Sequence, residues 1–414
     1  MQGLRLFAGN RLEVLAHKLA EVLNEPLSSP FKEEVIVVQS RGMEHWLSMQ
    51  LAKKHGICSN CFFPFPNTMM SRLFKSVLPD VPESSIFDID TLSWKIVDLL
   101  PNFIDREGFE SITSYLEDDA KGVKLYQLSS CLAEVYDSYA IFRPEMVLGW
   151  QEGRFSMPDE LGRLERWQAL LWKAVSSNHE QEHPAALRDR FLKSLGPSCI
   201  GDLPERISLF GISYLPRFYL EVFHALSFFI PVHFYLLNPC RQYWGDIRPK
   251  SEIARMTILY REAADDLYLE EGNSLLAALG GVGRDLFDLL QDYEPEEVDL
   301  FRDVEGESLL EWVQADILDL RNPQPEDVRI VSKRDRSVQI HSCHSAMREI
   351  EVLKDNLLSL FDEDPGLKPE DIVVMSPDIE TYIPYVQAVF DVPRQSPAYI
   401  PFTIVDRSLK TSGT

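Results

Sequence analysis

The sequence of 414 residues lacks the glycine-rich loop that holds nucleotide phosphates. A P-loop needs the pattern G-x-x-x-x-G-K-[ST] between a strand and a helix, because backbone N–H groups wrap the phosphates while lysine neutralises their charge. No glycine here is followed by lysine, and only Ala8, Gly9 and Asn10 separate the first predicted strand from its helix. The glycines of 280–283 lie between helical segments and predict a turn. The sequence therefore argues against an ATP-driven motor within this chain.

Other catalytic and membrane patterns are missing as well. There is no G-x-S-x-G or H-E-x-x-H motif, and no apolar run approaches the roughly 18 residues of a membrane span. Cys58 and Cys61 have the spacing of a metal or redox pair, but no second pair completes four zinc ligands. The 6 cysteines are scattered, and the N-terminus shows no export signal. We therefore expect a cytoplasmic protein without a metal or cofactor of its own.

Positive charge is also scarce. The net charge is −24, which argues against nucleic acid because phosphate binding relies on lysine and arginine. The acidity is uneven, however. Residues 250–330 hold 7 basic and 21 acidic residues, whereas residues 1–100 hold 10 basic and 11 acidic residues. Contact with DNA therefore remains open for the N-terminal region, although no basic patch marks it.

What is present at the N-terminus is a pair of β-α units. Leu4–Gly9 alternates like a strand, and a helical pattern follows it with Asn10 placed to cap the helix. The apolar strand Val35–Gln39 leads through the turn 40–42 into a helix that ends at Gly56. Apolar strands followed by helices predict an α/β fold with a parallel sheet.

The remaining pattern predicts a discontinuous domain organisation. Helical periodicity alone fills 91–199, and strands return at Ile207–Ser213 and Ile230–Leu237. We thus expect an α/β domain built from 1–90 and 200–325, interrupted by a helical insertion. A proline-containing linker precedes 326–414, where the strand patterns SVQIHSCHS, DIVVMS and PFTIV alternate with helices. These predict the start of a second, truncated α/β domain.

The second β-α turn is the candidate ligand site. Gln39, Ser40 and Arg41 with His45 follow a parallel strand at its carboxyl end, where open α/β sheets usually bind ligands. Polar side chains and a helix N-terminus there suit nucleic-acid phosphates or base edges, and nearby aromatics such as Phe65 suit base stacking. An ordinary β-α turn over a buried core explains the same residues.

Seven ordered segments together resemble the RecC family, the gamma chain of bacterial exodeoxyribonuclease V. They are VQSRGMEHWL, CFFPFPN, LYQLSSCLAEVYDSYAIFRP, LFGISYLPRFYLEVFHAL, NPCRQYWGDI, CHSAMREIEVL and DIVVMSPDIETYIPYVQAVF. The resemblance covers nearly the whole chain, and NPCRQYWGD is the most distinctive segment. Since the family's chains are much longer, we expect this sequence to be an N-terminal fragment.

The resemblance implies a superfamily 1 helicase-like frame whose P-loop is degenerate. It places 1–90 and 200–325 in a 1A-like domain, 91–199 in a 1B-like insertion and 326–414 in a 2A-like domain. Within that frame, 8–12 stands in place of the P-loop and 39–42 where a helicase motif touches single-stranded DNA. Cys240–Asp246 follows the strand after which a motor would sense nucleotide.

The resemblance also implies function. The family holds the helicase-nuclease together, splits the duplex and scans the emerging strand for the octamer called Chi. Of its Chi-reading positions this sequence keeps Gln39, Asp137 and Arg143. The positions that differ from the family's best-known members are Arg41, His45, Phe65, Ser71, Glu134 and Val135. Because Arg41 replaces a small hydroxyl residue, we expect a different octamer or weaker discrimination.

The implied partners are the RecB and RecD subunits, with single-stranded and forked double-stranded DNA and no membrane. ATP and magnesium are expected in the partner subunits and not in this chain. We thus predict a non-catalytic DNA-binding scaffold for double-strand break repair by homologous recombination. Two alternatives stay open: an ATP-dependent helicase or nuclease in its own right, and an acidic protein-interaction module.

Overall fold

The computed structural model describes residues 3–119, 121–157, 159–261, 266 and 269–405, with side chains for all but 159–161. The chain forms two compact units. The first comprises Met1–Glu305 and Val313–Asp327, and the second comprises Gly306–Trp312 and Val328–Thr414. No helix in the described ranges is long and apolar enough to cross a membrane.

The first unit is built on one sheet of 6 parallel strands in the order β3-β2-β4-β5-β1-β6. The strands are β1 Leu4–Gly9, β2 Glu34–Val37, β3 Cys61–Phe62, β4 Ile207–Phe210, β5 Val232–Leu237 and β6 Glu296–Asp299. The predicted α/β class and parallel sheet are confirmed. The sequence pattern missed the two edge strands, because β3 has only 2 residues and β6 carries three acidic side chains.

Alternate residues of the central strands face two separate apolar layers. Val35 and Val37 of β2 pack into a cluster with α3, α10 and α13, whereas Ile36 and Val38 pack with α1 and α2. Both faces are covered, so the central strands are mostly apolar, as is typical of a buried parallel sheet. The helices of these layers are α1 Leu12–Leu23, α2 Arg41–His55, α3 Pro66–Val77, α10 Arg217–Ser227 and α13 Gly281–Gln291.

A helical segment separates β3 from β4. Its helices are α4 Ile89–Leu99, α5 Glu110–Leu116, α6 Val123–Phe142, α7 Pro144–Gln151, α8 Asp159–Val175 and α9 Pro184–Ser194. They enclose their own apolar cluster around Tyr136 and Trp172, and the Tyr136 hydroxyl donates to the Gln168 carbonyl at 2.8 Å. The helical character predicted for this stretch is confirmed, and α6 carries part of the candidate site at its C-terminal end.

Four further helices follow in chain order after the central strands. They are α11 Lys250–Tyr260, α12 Ser274–Leu279, α13 as above and α14 Leu309–Leu318. The glycines of 280–283 form the junction of α12 and α13, so the predicted turn between helices is confirmed.

The second unit contains α15 Ala346–Glu363 and α16 Ile379–Phe390, which pack around Ile350, Leu357 and Phe390. Both helices were predicted. The three strands predicted in 326–414 were wrong: the segments SVQIHSCHS, DIVVMS and PFTIV form no strand within the described residues. A strand exists only through hydrogen bonds to a neighbouring strand, and these segments do not pair with one another. Apolar alternation alone could not reveal that.

Candidate nucleic-acid interface

The turn after β1, where a P-loop would stand, is packed against another segment of the chain. The Leu300 N–H donates to the Ala8 carbonyl at 2.8 Å, and the Asn238 N–H donates to the Gly9 carbonyl at 2.9 Å. A Cβ on Gly9 would lie 3.1 Å from the Leu300 carbonyl oxygen. Protein backbone therefore occupies the space beside this turn.

Asn10 holds the same segment in place and does not cap α1. Its side-chain oxygen accepts from the Arg302 N–H and its amide donates to the Arg302 carbonyl, both at 2.9 Å. The predicted capping role was wrong, because the Asn10 amide pairs with the N–H and the carbonyl of Arg302, and Arg11 becomes the N-cap without a side-chain bond. The turn after β1 is thus bound by the segment 300–302 of the same chain.

The loop after β5, the distinctive NPCRQYWGD segment, is a structural loop. The Asn238 side-chain oxygen accepts from the Trp244 indole at 3.0 Å and from the Cys240 N–H at 3.3 Å. Arg241 forms ion pairs with Asp303 at 2.9 Å and with Asp319 at 2.6 Å. The polar groups of this loop are therefore engaged by the protein.

The turn after β2 joins the loop that follows β4. The Gln39 Oε1 accepts from the Ser213 N–H at 3.0 Å and from its hydroxyl at 3.2 Å, while Nε2 donates to the Tyr214 carbonyl at 2.5 Å. The amide oxygen is thereby saturated and one amide hydrogen remains. Gln39 is exposed, so this hydrogen is open to a ligand.

Gly211 explains why β4 ends at Phe210 and not at the predicted Ser213. Its φ of +62° lies in the left-handed region, which turns the chain out of the sheet. A Cβ there would lie 2.9 Å from the Met43 Cε at the start of α2. The turn brings Ser213 within reach of Gln39.

Ser40 and Arg41 begin α2. The Ser40 hydroxyl accepts from the Met43 N–H at 3.1 Å and caps the helix. The Arg41 guanidinium lies 5.4 Å from the Phe65 ring centroid and forms an ion pair with Glu44 at 2.9 Å. His45 follows Arg41 by one helical turn on the same face and is exposed.

Phe65 is the N-cap residue of α3 and packs partly buried against the layer of α1 and α2. Ser71 lies exposed on α3, on the same face as Asn67. The Asn67 side-chain oxygen accepts a close hydrogen bond from the Tyr219 hydroxyl of α10. This bond joins the helix that carries Phe65 and Ser71 to α10.

Glu134, Val135 and Asp137 lie on α6. Glu134 is exposed and Val135 is partly buried. Burial, and then the nearby Asp88 carboxylate, raise the pKa of Asp137. Burial raises the pKa of Tyr219 to about 12, and the Asp137 charge adds to this shift. Asp137 is therefore electrostatically coupled to the α10 residue that is bonded to Asn67.

The end of α6 reaches the loop after β4. Phe142 is the last residue of α6, and its ring stacks on Tyr214 with centroids 6.3 Å apart and planes 25° apart. Arg143 follows, exposed, and forms no ion pair with any residue in the described ranges. An exposed cation thus lies next to an aromatic pair that is linked through Tyr214 to Gln39.

The contacts bring several of the sequence-predicted residues together. Gln39 is linked to the end of α6 through Tyr214, and Arg41 is linked to Phe65. The charge of Asp137 acts on the pKa of Tyr219, which is bonded to Asn67 of α3. No side-chain hydrogen bond or ion pair in the described part of the chain joins any two of the ten predicted residues. The site is therefore a set of neighbouring segments and not a bonded cluster.

Sequence reasoning missed Phe142 and Tyr214 as site residues. Phe142 directly precedes Arg143, and Tyr214 ends the short run after β4, so both were adjacent to residues already singled out. In the described ranges, no group of three His, Cys, Asp or Glu side chains is placed to hold a metal ion.

Comparison with known proteins identifies the family of this chain. The family model of the RecC N-terminal domain matches residues 4–320. The chain belongs to the RecC family. It is 39% identical to the RecBCD enzyme subunit RecC of Escherichia coli, over 99% of this chain and 40% of that protein. The RecC subunit of Haemophilus influenzae is 35% identical over 98% of the chain and 41% of its own length.

More distant members of the RecC family match over a similar extent. The RecC subunit of Mycolicibacterium smegmatis is 33% identical over 96% of this chain and 36% of its own length. The chain therefore spans about two fifths of the length of the curated relatives it matches.

Proposed function

We propose that this chain is the strand-reading part of a non-catalytic subunit of exodeoxyribonuclease V, acting in double-strand break repair by homologous recombination. The observation that carries the proposal is the Gln39 network at the carboxyl end of the sheet. It fixes an exposed polar turn that is linked through Tyr214 and Phe142 to Arg143, while the turn after β1 is packed against 300–302. The chain would thus offer a surface for a DNA strand without a nucleotide site after β1.

The proposed frame is that of a superfamily 1 helicase with a degenerate P-loop. The packing of Leu300 against Gly9 and the pairing of Asn10 with Arg302 support this, because the segment 300–302 then takes up space beside the turn that a bound phosphate would need. Residues 1–90 and 200–325 would form the 1A-like domain, 91–199 the 1B-like insertion and 326–414 the start of a 2A-like domain.

The proposed partners are RecB and RecD, together with single-stranded and forked double-stranded DNA. The relatives are named as subunits of the RecBCD enzyme, which supports an assembly with these two chains. ATP and magnesium chemistry would then lie in the partner subunits, and this chain would supply strand separation and reading.

Binding of single-stranded DNA tests the proposal. In the full-length chain assembled with its partner subunits, Arg143→Gln is expected to weaken binding and to reduce the slope of log K against log salt by about 1, since it removes one phosphate contact. Gln39→Ala is expected to weaken binding roughly tenfold, because the Ser213–Tyr214 turn loses three hydrogen bonds and a base acceptor loses a donor. Fluorescence anisotropy over a salt series measures both effects.

The matched control for Arg143 is Arg255→Gln. Arg255 is also exposed, lies on α11 and forms no ion pair among the described residues, so its loss removes the same charge elsewhere. If the two arginine substitutions weaken binding equally, the effect of Arg143→Gln comes from the loss of one positive charge and not from a specific contact with DNA. Absence of any DNA binding by the unaltered assembly would refute the proposal and favour an acidic interaction module.

Chi discrimination is expected to differ from that of the family's best-known members. Arg41 stands where those members have a small hydroxyl residue, and its guanidinium is held between Glu44 and the Phe65 ring. A cation with several donors at a base-reading position changes which base is accepted. We therefore expect the assembled enzyme to cleave DNA bearing the familiar octamer without normal attenuation, as gel analysis of the products would show. Normal attenuation at that octamer would contradict this expectation.

A further inference from the structure

Two aromatic side chains form an exposed stacked pair at the end of α6. Phe142 is 55% exposed and Tyr214 is 44% exposed, although their rings stack with centroids 6.3 Å apart. They come from separate segments, the last residue of α6 and the loop after β4. Each ring keeps part of its apolar surface open to solvent even though the two rings stack on each other.

The backbone on both sides of the pair is held by the core. The Tyr214 carbonyl accepts from Gln39, and the next residue, Leu215, is 2% exposed in the main apolar cluster. Phe142 lies between Ile141, which packs against that cluster, and Arg143, whose carbonyl accepts from the Met146 N–H at 3.0 Å. The two rings are therefore presented on a backbone that is already ordered.

The surroundings of the pair are polar. Arg143 directly adjoins Phe142 and has no ion-pair partner in the described ranges, and the exposed Gln39 amide keeps one hydrogen for a ligand. The Ser213 backbone and hydroxyl are bound to the same amide. An apolar protein helix would bury these groups without partners, whereas a nucleotide offers a flat base, a phosphate and base-edge acceptors.

We propose that Phe142 and Tyr214 form a stacking platform for bases of single-stranded DNA, with Arg143 binding an adjoining phosphate. This inference rests on the proposed function, since it assigns two further binding residues to the same surface. Stacking tolerates every base because each has a π-face, so the platform contributes affinity and strand placement and leaves sequence reading to the polar groups. Its contribution is also insensitive to salt, unlike that of a phosphate contact.

The test uses the full-length chain assembled with its partner subunits and an oligonucleotide that carries 2-aminopurine. Tyr214→Leu and Phe142→Leu are each expected to weaken binding on the order of tenfold, with an unchanged salt slope and with loss of the fluorescence quenching that stacking causes. Tyr214→Phe keeps the ring and is expected to bind like the unaltered protein. The carbonyl bond to Gln39 belongs to the backbone and is unaffected by these substitutions.

Phe228→Leu is the matched control. Phe228 is 57% exposed but lies at the C-cap of α10, at the end away from the Tyr214 loop, and is expected to leave binding unchanged. Phe142 and Tyr214 lie on separate segments of the chain. If one of the two leucine variants fails to fold, the other still tests the platform.

The outcomes separate the platform from the proposed function. If both leucine variants bind and quench like the unaltered protein while Arg143→Gln weakens binding, the platform is overturned and the DNA surface stands. If the unaltered assembly binds no single-stranded DNA, both are overturned.

Discussion

Arg206→Met is expected to lower the free energy of unfolding by about 3–5 kcal/mol, because it leaves a buried carboxylate without its partner. The side chains of Arg206 and Glu34 are 7% and 12% exposed and meet in two parallel bonds of 2.8 and 2.7 Å. The guanidinium also donates to the carbonyls of Val22 and Glu25 at 3.0 and 3.1 Å. This one side chain thus joins the end of α1 to the starts of β2 and β4.

Urea unfolding of the purified chain measures this effect. Arg206→Lys keeps the charge but loses the planar fork, so we expect it to be intermediate. The double variant Arg206→Met with Glu34→Leu removes both charges and is expected to lose much less than the sum of the single changes. Additive losses in this cycle would show that the two side chains do not form a coupled pair.

Gly9→Val is expected to lower the free energy of unfolding by about 1–3 kcal/mol and to release 300–302 from the first turn. A Cβ at Gly9 lies 3.1 Å from the Leu300 carbonyl oxygen and 3.3 Å from its carbonyl carbon, and the two valine methyl groups need more room than that. The Leu300 backbone cannot yield without losing its 2.8 Å bond to Ala8. Hydrogen exchange at the Leu300 and Arg302 amides measures the release.

Gly3→Val provides the control for this substitution. A Cβ at Gly3 meets nothing within 4 Å, so added bulk just before β1 is expected to leave exchange at Leu300 unchanged. Unchanged protection of both amides in Gly9→Val would show that 300–302 does not close the first turn.

The sheet was predictable where burial shaped the sequence. The strands β1, β2, β4 and β5 lie between two helical layers, so most of their residues are apolar and follow the pattern of a buried parallel sheet. The edge strand β6 has an exposed, acidic sequence whose Glu296 pairs with Arg5 at 2.8 Å, and no apolar pattern marks it. Its pairing with β1 depends on a contact between residues almost 300 positions apart, which local sequence patterns do not reveal.

The candidate site was predictable in part. The position of Gln39 at the carboxyl end of a parallel strand indicated the turn, and the cap at Ser40 follows from ordinary helix rules. That Gln39 binds the Ser213–Tyr214 turn, and that Tyr214 meets Phe142, depend on how β2, β4 and α6 come together. The role of Asn10 was misassigned for the same reason, since its partner Arg302 lies far along the chain.

The central proposal is a helicase-like fold that keeps a strand-reading surface but whose turn after β1 is blocked to nucleotide. A structure of the full-length assembly on forked DNA with an ATP analogue tests it most directly. We predict that the separated strand runs past Gln39, Asp137 and Arg143, with no nucleotide at the turn of Ala8, Gly9 and Asn10. Nucleotide bound at that turn, or a strand that follows a path away from these side chains, would contradict it.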